Sequence, residues 1–582
     1  MTRKNLIMLL TAAALASPSP SAAQAPSKTW NPNVSGGKYR NPVIDADYSD
    51  PDVCRVGNDY YMTSSSFACF PGLQILHSTD LVNWEIIGAA LTDSYPVLPE
   101  YEGTDIDWKR RIQHGNYVWA PSIRYHDGWF YIYCGDPDQG LFMTKTQDPR
   151  GQWSPVEWVM KGKGLIDCCP LWDDDGKAYL SFGCAGSRAG IKSVLFMAPL
   201  SPDGSRVTGP ARIIYDGHED QPTIEGTKLY KRNGYYYIMS PAGGVKYGWQ
   251  VILRSKDPFG PYEEYVGMAQ GKSKVNGPHQ GAWVDTPNGE DWFLHFQDKH
   301  AYGRVVHLQP ARWVDDWLVI GDDKDNDGCG DPVSVWKKPN LPSSGVFQPL
   351  EDDEFSSTKL GLQWQFEGPY SHYWYFCDAN KSRLRLYGVQ QPEGYRNLSD
   401  MQNTLLQKFP TENFTCTARL RFVPNPGNKA KGEEAGFILK GQDYAALKLV
   451  STKEGCVMRY VVCRNAFNGK AEETIMETPI ELKAMEKPYT QKYAVDEIPQ
   501  PRLATDYILV RVKVKSSGTG NSIKAHAQFE YSLDGKTFKK AGEPFQVKEG
   551  RWIGAKVGFF NCRPNKMNDG AFLDVDWIRF TK

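Results

Sequence analysis

The sequence has almost no net charge, no Cys-x-x-Cys pair and no apolar run long enough to cross a membrane. Its 582 residues carry 67 Lys and Arg against 68 Asp and Glu, without clusters of basic residues. Because a nucleic-acid-binding surface needs such clusters, we expect no nucleic-acid partner. The missing Cys-x-x-Cys spacing gives no indication of a structural zinc site or a thioredoxin-type redox centre.

The first 25 residues are typical of a secretory signal peptide. Arg3 and Lys4 precede an apolar run from residue 6 to residue 16, and small residues follow. This run of about eleven residues is well short of the roughly 20 that a membrane span needs. We expect cleavage after Ala23 and, because no cysteine lies near that position, no lipid anchor. The predicted product is soluble, and either secreted or periplasmic.

The 12 cysteines all follow this leader and show no regular spacing. A chain of this size can build its core without disulfides, so we expect buried free thiols. Cys168 and Cys169 are adjacent. A vicinal disulfide between them is the alternative, although it needs a strained peptide geometry.

Aromatic residues are abundant, with 18 Trp, 31 Tyr and 25 Phe beside 54 Gly and 39 Pro. This composition suits an all-β core and equally a surface that stacks on sugars, so alone it does not distinguish between the two. A recurring motif is more informative, since a turn residue is followed by strand-forming aromatic and aliphatic residues. It occurs at residues 57–62, 127–132, 175–180, 233–238 and 288–294.

Each of these motifs predicts a β-hairpin. Asp-Gly and Asn-Gly pairs supply the positive φ of tight turns, and the residues after them favour strands. Successive turns are roughly 50 to 70 residues apart, which leaves room for a four-stranded sheet with its loops. The sequence therefore predicts an all-β fold that begins with a five-bladed β-propeller over residues 36–335.

The residues ahead of the hairpins predict a site on the propeller axis. Asp50, Trp119, Asp167, Glu225 and His279 each precede a hairpin turn by about eight to ten positions. The first strand of each propeller blade lines the central channel, so we interpret them as equivalent positions that converge at one mouth. Three carboxylates in one partly desolvated pocket raise one another's pKa, as glycoside hydrolysis requires. For any one of these acids alone, a strand cap or an ordinary ion pair is the alternative.

The pattern of the sequence changes after Pro332. A segment that contains Pro and Ser, residues 337–344, is interpreted as a linker between two domains. Beyond it, polar and apolar residues alternate with a period of two. This pattern predicts an antiparallel β-sandwich over residues 345–582. Clear examples are residues 417–422, 526–531 and 572–577.

Several of these residues also carry a family resemblance. The motifs are Asn41-Pro42-Val43-Ile44, Ser49-Asp50-Pro51-Asp52, Ser65-Ser66-Phe67, Trp119-Ala120-Pro121, Glu225-Gly226 and Gly303-Arg304. In this order, over residues 38–335, they resemble glycoside hydrolase family 43. The segment from Asp352 to Trp577 is similar to the concanavalin-like jelly-roll sandwich that follows the propeller in the β-xylosidase branch.

The resemblance implies an inverting mechanism on glycosides of pentoses. Asp50 matches the general base that activates water, and Glu225 matches the general acid. Asp167 matches a third carboxylate that orients the acid and raises its pKa.

Four further residues have candidate roles in binding. The resemblance implies that Arg304 hydrogen-bonds substrate, with a surface ion pair as the alternative. It implies that His279 lies on the axis near substrate and, in some members, helps to bind calcium; a satisfied polar residue is the alternative. Phe67 and Trp119 are candidate walls of the sugar subsite, with core packing as the alternative.

Two departures from the family pattern lie near this predicted pocket. Ala68-Cys69 stands where members often have a polar-aromatic pair, and Cys168-Cys169 stands in place of Pro-Ser. Both leave the identity of the sugar open.

The segment from Asp323 to Gly328 matches the start of an EF-hand calcium loop. Its twelfth position is Ser334 instead of Glu, and no helices flank it. We interpret it as an acidic hairpin, with calcium binding as the alternative.

The leading hypothesis is an exported, exo-acting glycosidase. It would release terminal β-D-xylose or α-L-arabinofuranose from plant cell-wall oligo- or polysaccharides of hemicellulose or pectin. This chemistry requires no cofactor, and Ca²⁺ is the only candidate metal. The alternatives are an endo-acting arabinanase or xylanase of the same fold and a non-catalytic carbohydrate-binding propeller. The oligomeric state stays open.

Overall fold

A computed structural model describes residues 27–92, 111–342, 345, 349, 351–425, 431–485, 502–565 and 569–582. The predicted signal peptide, residues 1–25, lies outside them. Nearly all regular structure is β-strand, and the prediction of an all-β chain is confirmed. The helical segments are short: α1 (Gly186–Ala189) and the 3₁₀ turns His300–Tyr302, His372–Trp374, Ala379–Lys381, Leu398–Asp400, Ala466–Asn468 and Gly520–Ser522.

Five four-stranded antiparallel sheets follow one another along the first part of the chain. In each sheet the strands lie side by side in sequence order, as in the blade of a propeller. Two strands precede the blades, β1 (Asn33–Val34) and β2 (Lys38–Arg40). The blades consist of β3 (Asp52–Val56), β4 (Asp59–Thr63), β5 (Gly72–Ser78) and β6 (Glu85–Leu91); β7 (Trp119–His126), β8 (Trp129–Asp136), β9 (Gly140–Thr146) and β10 (Glu157–Lys161); β11 (Leu165–Trp172), β12 (Ala178–Cys184), β13 (Val194–Leu200) and β14 (Arg212–Asp216); β15 (Lys228–Arg232), β16 (Tyr235–Ala242), β17 (Trp249–Ser255) and β18 (Glu263–Met268); and β19 (His279–Asp285), β20 (Asp291–Asp298), β21 (Arg304–Val314) and β22 (Trp317–Ile320).

The five predicted hairpins are the turns between the first and second strands of the five blades. Asp127 and Asn233 adopt φ of 47° and 50°, and the glycine after each is also left-handed, as tight hairpin turns require. The aromatic and aliphatic residues of these hairpins fill the cores between neighbouring blades. Blade packing therefore accounts for much of the aromatic content.

The blades close into a ring. First strands of neighbouring blades pack together around the axis, β3 with both β7 and β19, and β11 with both β7 and β15. The end of the propeller segment pairs with its beginning. There β23 (Val335–Lys337) is antiparallel to β2, and Lys38 lies opposite Lys337. The predicted five-bladed propeller is confirmed.

The rest of the chain forms two large sheets and one small one. The first large sheet has the order β24-β28-β39-β30-β31-β32-β33, with β27 parallel to β39, and the second has the order β25-β26-β40-β29-β36-β37-β38. The strands are β24 (Gln365–Phe366), β25 (Tyr375–Asp378), β26 (Arg383–Tyr387), β27 (Val389–Gln390), β28 (Leu405–Lys408), β29 (Phe414–Val423), β30 (Glu434–Lys440), β31 (Tyr444–Thr452), β32 (Gly455–Cys463), β33 (Glu473–Ile480), β34 (Lys483–Ala484), β35 (Leu503–Ala504), β36 (Ile508–Ser517), β37 (Lys524–Ser532), β38 (Lys539–Val547), β39 (Lys556–Arg563) and β40 (Phe572–Thr581).

The alternating segments of the sequence lie in β29, β37 and β40, and the predicted β-sandwich is confirmed. Along β29, buried and half-buried residues alternate, so one face packs on the core between the sheets. We propose that the propeller domain spans residues 36–335 and the sandwich domain residues 345–582.

The sandwich packs directly on the propeller. Phe70 and Phe366 exchange backbone hydrogen bonds of 2.9 and 2.6 Å across the interface. His114 stacks on Phe467 with ring centroids 3.7 Å apart, and Thr411 donates to Oδ2 of Asp45 at 2.7 Å. One cluster of buried apolar side chains continues from the first two blades into the sandwich.

All twelve cysteines are free thiols, and ten of them are buried. Cys168 and Cys169 are among the buried ones, so the alternative of a vicinal disulfide is not what the structure contains. Within the described residues, no helix combines the length and apolar character that crossing a membrane would require.

Candidate active site

Each blade's inner strand begins at a residue with left-handed backbone. In these five residues φ lies between 32° and 65°, which is unusual for side chains other than glycine. Such strain at equivalent positions is typical of functional sites, because the local turn re-aims a side chain. The residues are Asp50, Ala120, Asp167, Gly226 and Gln280.

This backbone register corrects the sequence-based alignment of the blades. Asp50 and Asp167 do occupy equivalent positions, whereas Trp119, Glu225 and His279 each stand one residue earlier than their blade's left-handed residue. Counting back from a hairpin turn cannot detect this offset, because the hairpin loop has two residues in the first, second and fourth blades and five in the third and fifth. In β7, β11 and β19 the left-handed residue lies within a bulge of the strand pairing.

Asp50 is surrounded by hydrogen-bond donors. Its side chain is buried, and its Oδ2 accepts hydrogen bonds from the hydroxyls of Ser49 at 2.8 Å and Ser65 at 2.5 Å. Arg304 places Nη1 3.5 Å from Oδ1 of Asp50 and also donates to Ser49 at 2.7 Å. The Asp50 carboxylate thus accepts hydrogen bonds from two hydroxyls and lies beside a guanidinium.

Asp167 is buried and touches the next blade. Its Oδ2 accepts a hydrogen bond from the backbone N–H of Gly226 at 2.8 Å, and its carbonyl accepts one from Thr227 at 2.7 Å. Burial raises the pKa of Asp167 above its usual range, and the nearby Asp50 carboxylate raises it further. Asp167 therefore lies within electrostatic reach of Asp50.

Glu225 precedes Gly226 and so lies beside Asp167. Burial of the carboxyl raises the pKa of Glu225, and the charges of Asp167 and Asp50 add to the increase, with Arg304 opposing it. Its side chain is 35% exposed, so it borders the open channel. Water in the channel reduces the size of the shift but leaves its direction. The three predicted carboxylates are thus brought together.

His279 lies against Glu225, with Nε2 3.8 Å from Oε1. Its ring is fully buried, and neither ring nitrogen has a hydrogen-bond partner among the described residues. Burial, followed by the charge of Arg304, lowers the pKa of His279 to about 3, so the imidazole is neutral. The two ring nitrogens of His279 are therefore buried polar atoms without a partner among the described residues.

A calcium ion at His279 would depend on water. Calcium takes six to eight oxygen ligands, and within the described residues no set of three protein ligands surrounds His279. The acidic loop is different, because carboxylate oxygens of Asp323, Asp325 and Asp327 all lie within 4.8 Å of one another. However, Asp323 forms an ion pair with Arg312 at 2.6 Å, which already neutralises one of the three charges.

Aromatic residues from both domains meet near the site. The ring of Phe67 is 3% exposed and packs edge-on against Trp119, with centroids 6.2 Å apart, so Phe67 is chiefly a packing residue. Trp119 is half-buried and in turn meets Trp552 of the sandwich at 6.3 Å. Trp552 is 44% exposed and lies 6.0 Å from the guanidinium carbon of Arg304.

Trp552 was missed by the sequence reasoning, as was Ser65. Trp552 belongs to the other domain, about 250 residues beyond the last catalytic landmark, and only its left-handed backbone, with φ of 65°, marks it. Beside it, a cavity of about 200 Å³ is lined by residues of both domains, among them Lys246, Arg304 and Arg551. The sandwich therefore forms part of the wall near Arg304.

Comparison with known proteins agrees with this architecture. Residues 39–318 match the model of glycosyl hydrolases family 43, and residues 352–581 match that of the beta xylosidase C-terminal concanavalin A-like domain. A crystal structure of a family 43 protein from Bacillus licheniformis superposes with a TM-score of 0.73 at 26% identity, covering 94% of this chain and 99% of that one.

Curated relatives cover three quarters of the chain or more. A putative beta-xylosidase of Xylanibacter ruminicola is 35% identical over 543 residues, 93% of this chain and 89% of the relative. A beta-xylosidase of Formosa agariphila is 31% identical, covering 97% of this chain and 94% of its own. A non-reducing end alpha-L-arabinofuranosidase of Bacteroides ovatus is 30% identical, covering 76% and 82%. The chain belongs to glycoside hydrolase family 43 and is a glycosidase with a C-terminal concanavalin-like domain.

Proposed function

We propose that this glycosidase removes terminal pentoses, β-D-xylose or α-L-arabinofuranose, from hemicellulose or pectin fragments with inversion at the anomeric carbon. The observation that carries the proposal is the contrast between two carboxyl groups. Asp50 is held by two hydroxyls and a guanidinium, whereas burial and neighbouring negative charge favour the protonated form of Glu225. An acid and a base in separate environments are what glycoside hydrolysis needs.

In this mechanism the proton of Glu225 passes to the leaving glycosidic oxygen. Asp50 takes a proton from a water molecule on the opposite face of the sugar, and that water attacks the anomeric carbon. Asp167 contacts neither the water nor the leaving group; its charge helps Glu225 to keep its proton until the bond breaks. Arg304 lies beside Asp50 and His279 beside Glu225, so both are candidates for binding the sugar hydroxyls.

Exo action is favoured by the position of the sandwich. Trp552 and the neighbouring Arg551 stand beside Arg304 at the edge of the site, where an open cleft would have to continue for a polysaccharide to pass through. A closed end admits only a chain terminus. An endo-acting arabinanase or xylanase would need this edge to be open.

The names of the relatives support xylose and arabinose as the sugars released. Two of them are named for beta-xylosidase activity and a third for alpha-L-arabinofuranosidase activity, and both sugars present similar hydroxyls to one pocket. We further propose export of the protein, on the basis of residues 1–25; the mature protein isolated from expressing cells would then begin at Gln24.

The decisive experiment is proton NMR of the first product during hydrolysis of an aryl β-D-xyloside and an aryl α-L-arabinofuranoside. Inversion gives α-xylose or β-arabinose as the first anomer to accumulate, before mutarotation. The opposite anomer would exclude the inverting mechanism, and absence of release from both substrates would exclude the proposed sugars. Xylo-oligosaccharides shortened by one unit at a time would distinguish exo from endo action.

A further inference from the structure

Three lysines stand side by side where the sandwich meets the propeller. Lys556 on β39 lies directly opposite Lys408 on β28 and Lys440 on β30. Lys440 and Lys556 are only 2% and 4% exposed. Like charges at directly opposed positions are destabilising, and burial increases the cost.

The two outer lysines have good partners. Lys440 forms an ion pair with Glu367, and Lys408 donates to Oε1 of Gln74 at 2.8 Å and lies 3.4 Å from the ring centroid of Tyr48. Both groups thus receive some compensation for burial.

The middle lysine has a poor partner. Nζ of Lys556 donates to Sγ of Cys69 in the propeller at 2.9 Å, and the described residues provide no other hydrogen-bond acceptor for it. A thiol is a weak acceptor, and 2.9 Å is a distance usual for the smaller oxygen atom. The nearest acids are occupied: Asp47 accepts backbone hydrogen bonds from Arg304 and Gly554, and Glu367 is paired with Lys440.

We propose that Cys69 and Lys556 are a redox cross-linking pair, joined through one oxygen atom in an S–O–N bridge that ties the propeller to the sandwich. The pair is buried, the two reacting atoms are already in contact, and the bridge would remove the charge at the centre of the lysine row. The inference is independent of the proposed substrate and reaction.

The oxidant is dioxygen, a small apolar molecule that can reach a buried site. Cys–SH and Lys–NH₃⁺ react with O₂ to give Cys–S–O–NH–Lys, water and one proton. The S–O and N–O bonds form as the O–O, S–H and N–H bonds break, and O₂ accepts two electrons from sulphur and two from nitrogen. Lys408 can take the proton, since burial, followed by the charge of Lys556, lowers the pKa of Lys408 to about 7. Two molecules of a dithiol reductant cleave the bridge: together they supply four electrons and four protons, and the products are Cys–SH, Lys–NH₂ and water.

The bridge would also hold the segment that leads to the site. Cys69 is two residues from Phe67 and adjacent to Phe70, whose backbone pairs with Phe366 of the sandwich. Oxidation would therefore fix the packing around Phe67, and reduction would release one of its anchors.

Intact mass spectrometry of the full-length protein tests the proposal. Protein handled in air should be about 14 Da heavier than the same protein treated with dithiothreitol, because one oxygen is gained and two hydrogens are lost. Proteolysis should yield a peptide pair that joins Cys69 to Lys556 and separates on reduction. The melting temperature of the aerobic protein should fall when the reductant is added.

Variants locate the bridge. Cys69→Ser and Lys556→Met should lack the added mass, whereas Cys456→Ser should keep it, because this buried cysteine contacts no lysine among the described residues. If a variant does not fold, aerobic and anaerobic preparations of the unaltered protein still give the answer. Equal masses in those two preparations would overturn the proposal, and so would a gain of about 16 Da, which marks a sulfenic acid, or a loss of about 2 Da, which marks a direct S–N bond.

Discussion

The indole of Trp552, in the sandwich, meets the indole of Trp119, in the propeller, edge to face with centroids 6.3 Å apart. The two domains thus share an aromatic contact at the edge of the candidate active site. Since Trp552 also stands 6.0 Å from Arg304, removing its ring changes the site without touching the three carboxylates.

Trp552→Ala should lower kcat/KM on xylobiose by about tenfold, chiefly through KM, because an aromatic contact is worth roughly 0.5–1.5 kcal/mol beyond its buried area. Steady-state kinetics on xylobiose and on an aryl xyloside would measure the loss. Tyr373→Ala, at an exposed aromatic residue elsewhere on the sandwich, serves as the control and should match the unaltered protein. If Trp552→Ala had the same kcat and KM as the unaltered protein, Trp552 would not contribute to substrate binding.

Glu225→Gln should reduce kcat on unactivated xylosides by about 10²–10⁴-fold, because proton donation to the leaving oxygen is lost. Substrates whose leaving group needs no proton should be hydrolysed much better by this variant. Glu219→Gln, the same substitution at an exposed position of the same region, should leave both rates unchanged. A uniform loss on both kinds of substrate would contradict the role of general acid.

Asp167→Asn should move the alkaline limb of the pH–activity profile to lower pH by about one unit. Glu225 acts in its protonated form, so activity falls as the pH rises through the pKa of Glu225. The negative charge of Asp167 helps to raise that pKa, and the neutral amide cannot. Profiles of kcat/KM for this variant and for the exposed control Asp174→Asn would show the difference; coincident alkaline limbs would show that Asp167 has another role.

Ser65→Ala should lower kcat by about 10–100-fold with little change in KM, because a hydrogen bond to a charged group is worth about 1.5–3 kcal/mol. Ser65 orients Asp50 through Oδ2 and itself accepts a hydrogen bond from the backbone of Ala120 at 2.7 Å. The exposed Ser356→Ala should have no effect. A change confined to KM would indicate substrate binding instead of positioning.

Glu367→Gln should destabilise the protein at neutral pH by about 3–5 kcal/mol, since it leaves Lys440 buried without its counter-ion. Burial alone would raise the pKa of Glu367, but Lys440 and His114 overcome it and lower the pKa to about 2. A lowered carboxyl pKa stabilises the folded state above the unfolded pKa, and that stabilisation is lost as the pH falls toward 2.

Urea unfolding between pH 7 and pH 3 would therefore show a steeper loss of stability for the unaltered protein than for Glu367→Gln. Glu393→Gln, at an exposed position of the sandwich, should follow the unaltered protein. If the free energy of unfolding changed with pH in the same way in all three proteins, Glu367 would not be ionised at the interface between the domains.

Local signals in the sequence predicted the propeller well, because turn residues and strand-forming aromatics act over a few positions. The same signals also predicted that Asp50, Asp167 and Glu225 meet at one mouth of the propeller channel. They could not reveal the one-residue offset between Asp167 and Glu225, since it depends on the length of the hairpin loop, five residues in the third blade and two in the fourth, and not on the motif itself. Contacts between domains, such as Trp552 with Trp119 or Lys556 with Cys69, leave no periodic pattern and needed the structure.

The pairing of β2 with β23 also has a consequence for synthesis of the protein. Lys38 finds its partner Lys337 only after about 300 further residues have been made. The first blade also lacks its neighbour on one side until the fifth blade has been made, so its apolar flank stays open to chaperones or to aggregation. Truncations that end before the fifth blade, at residue 279, should accordingly be insoluble, however complete their individual blades.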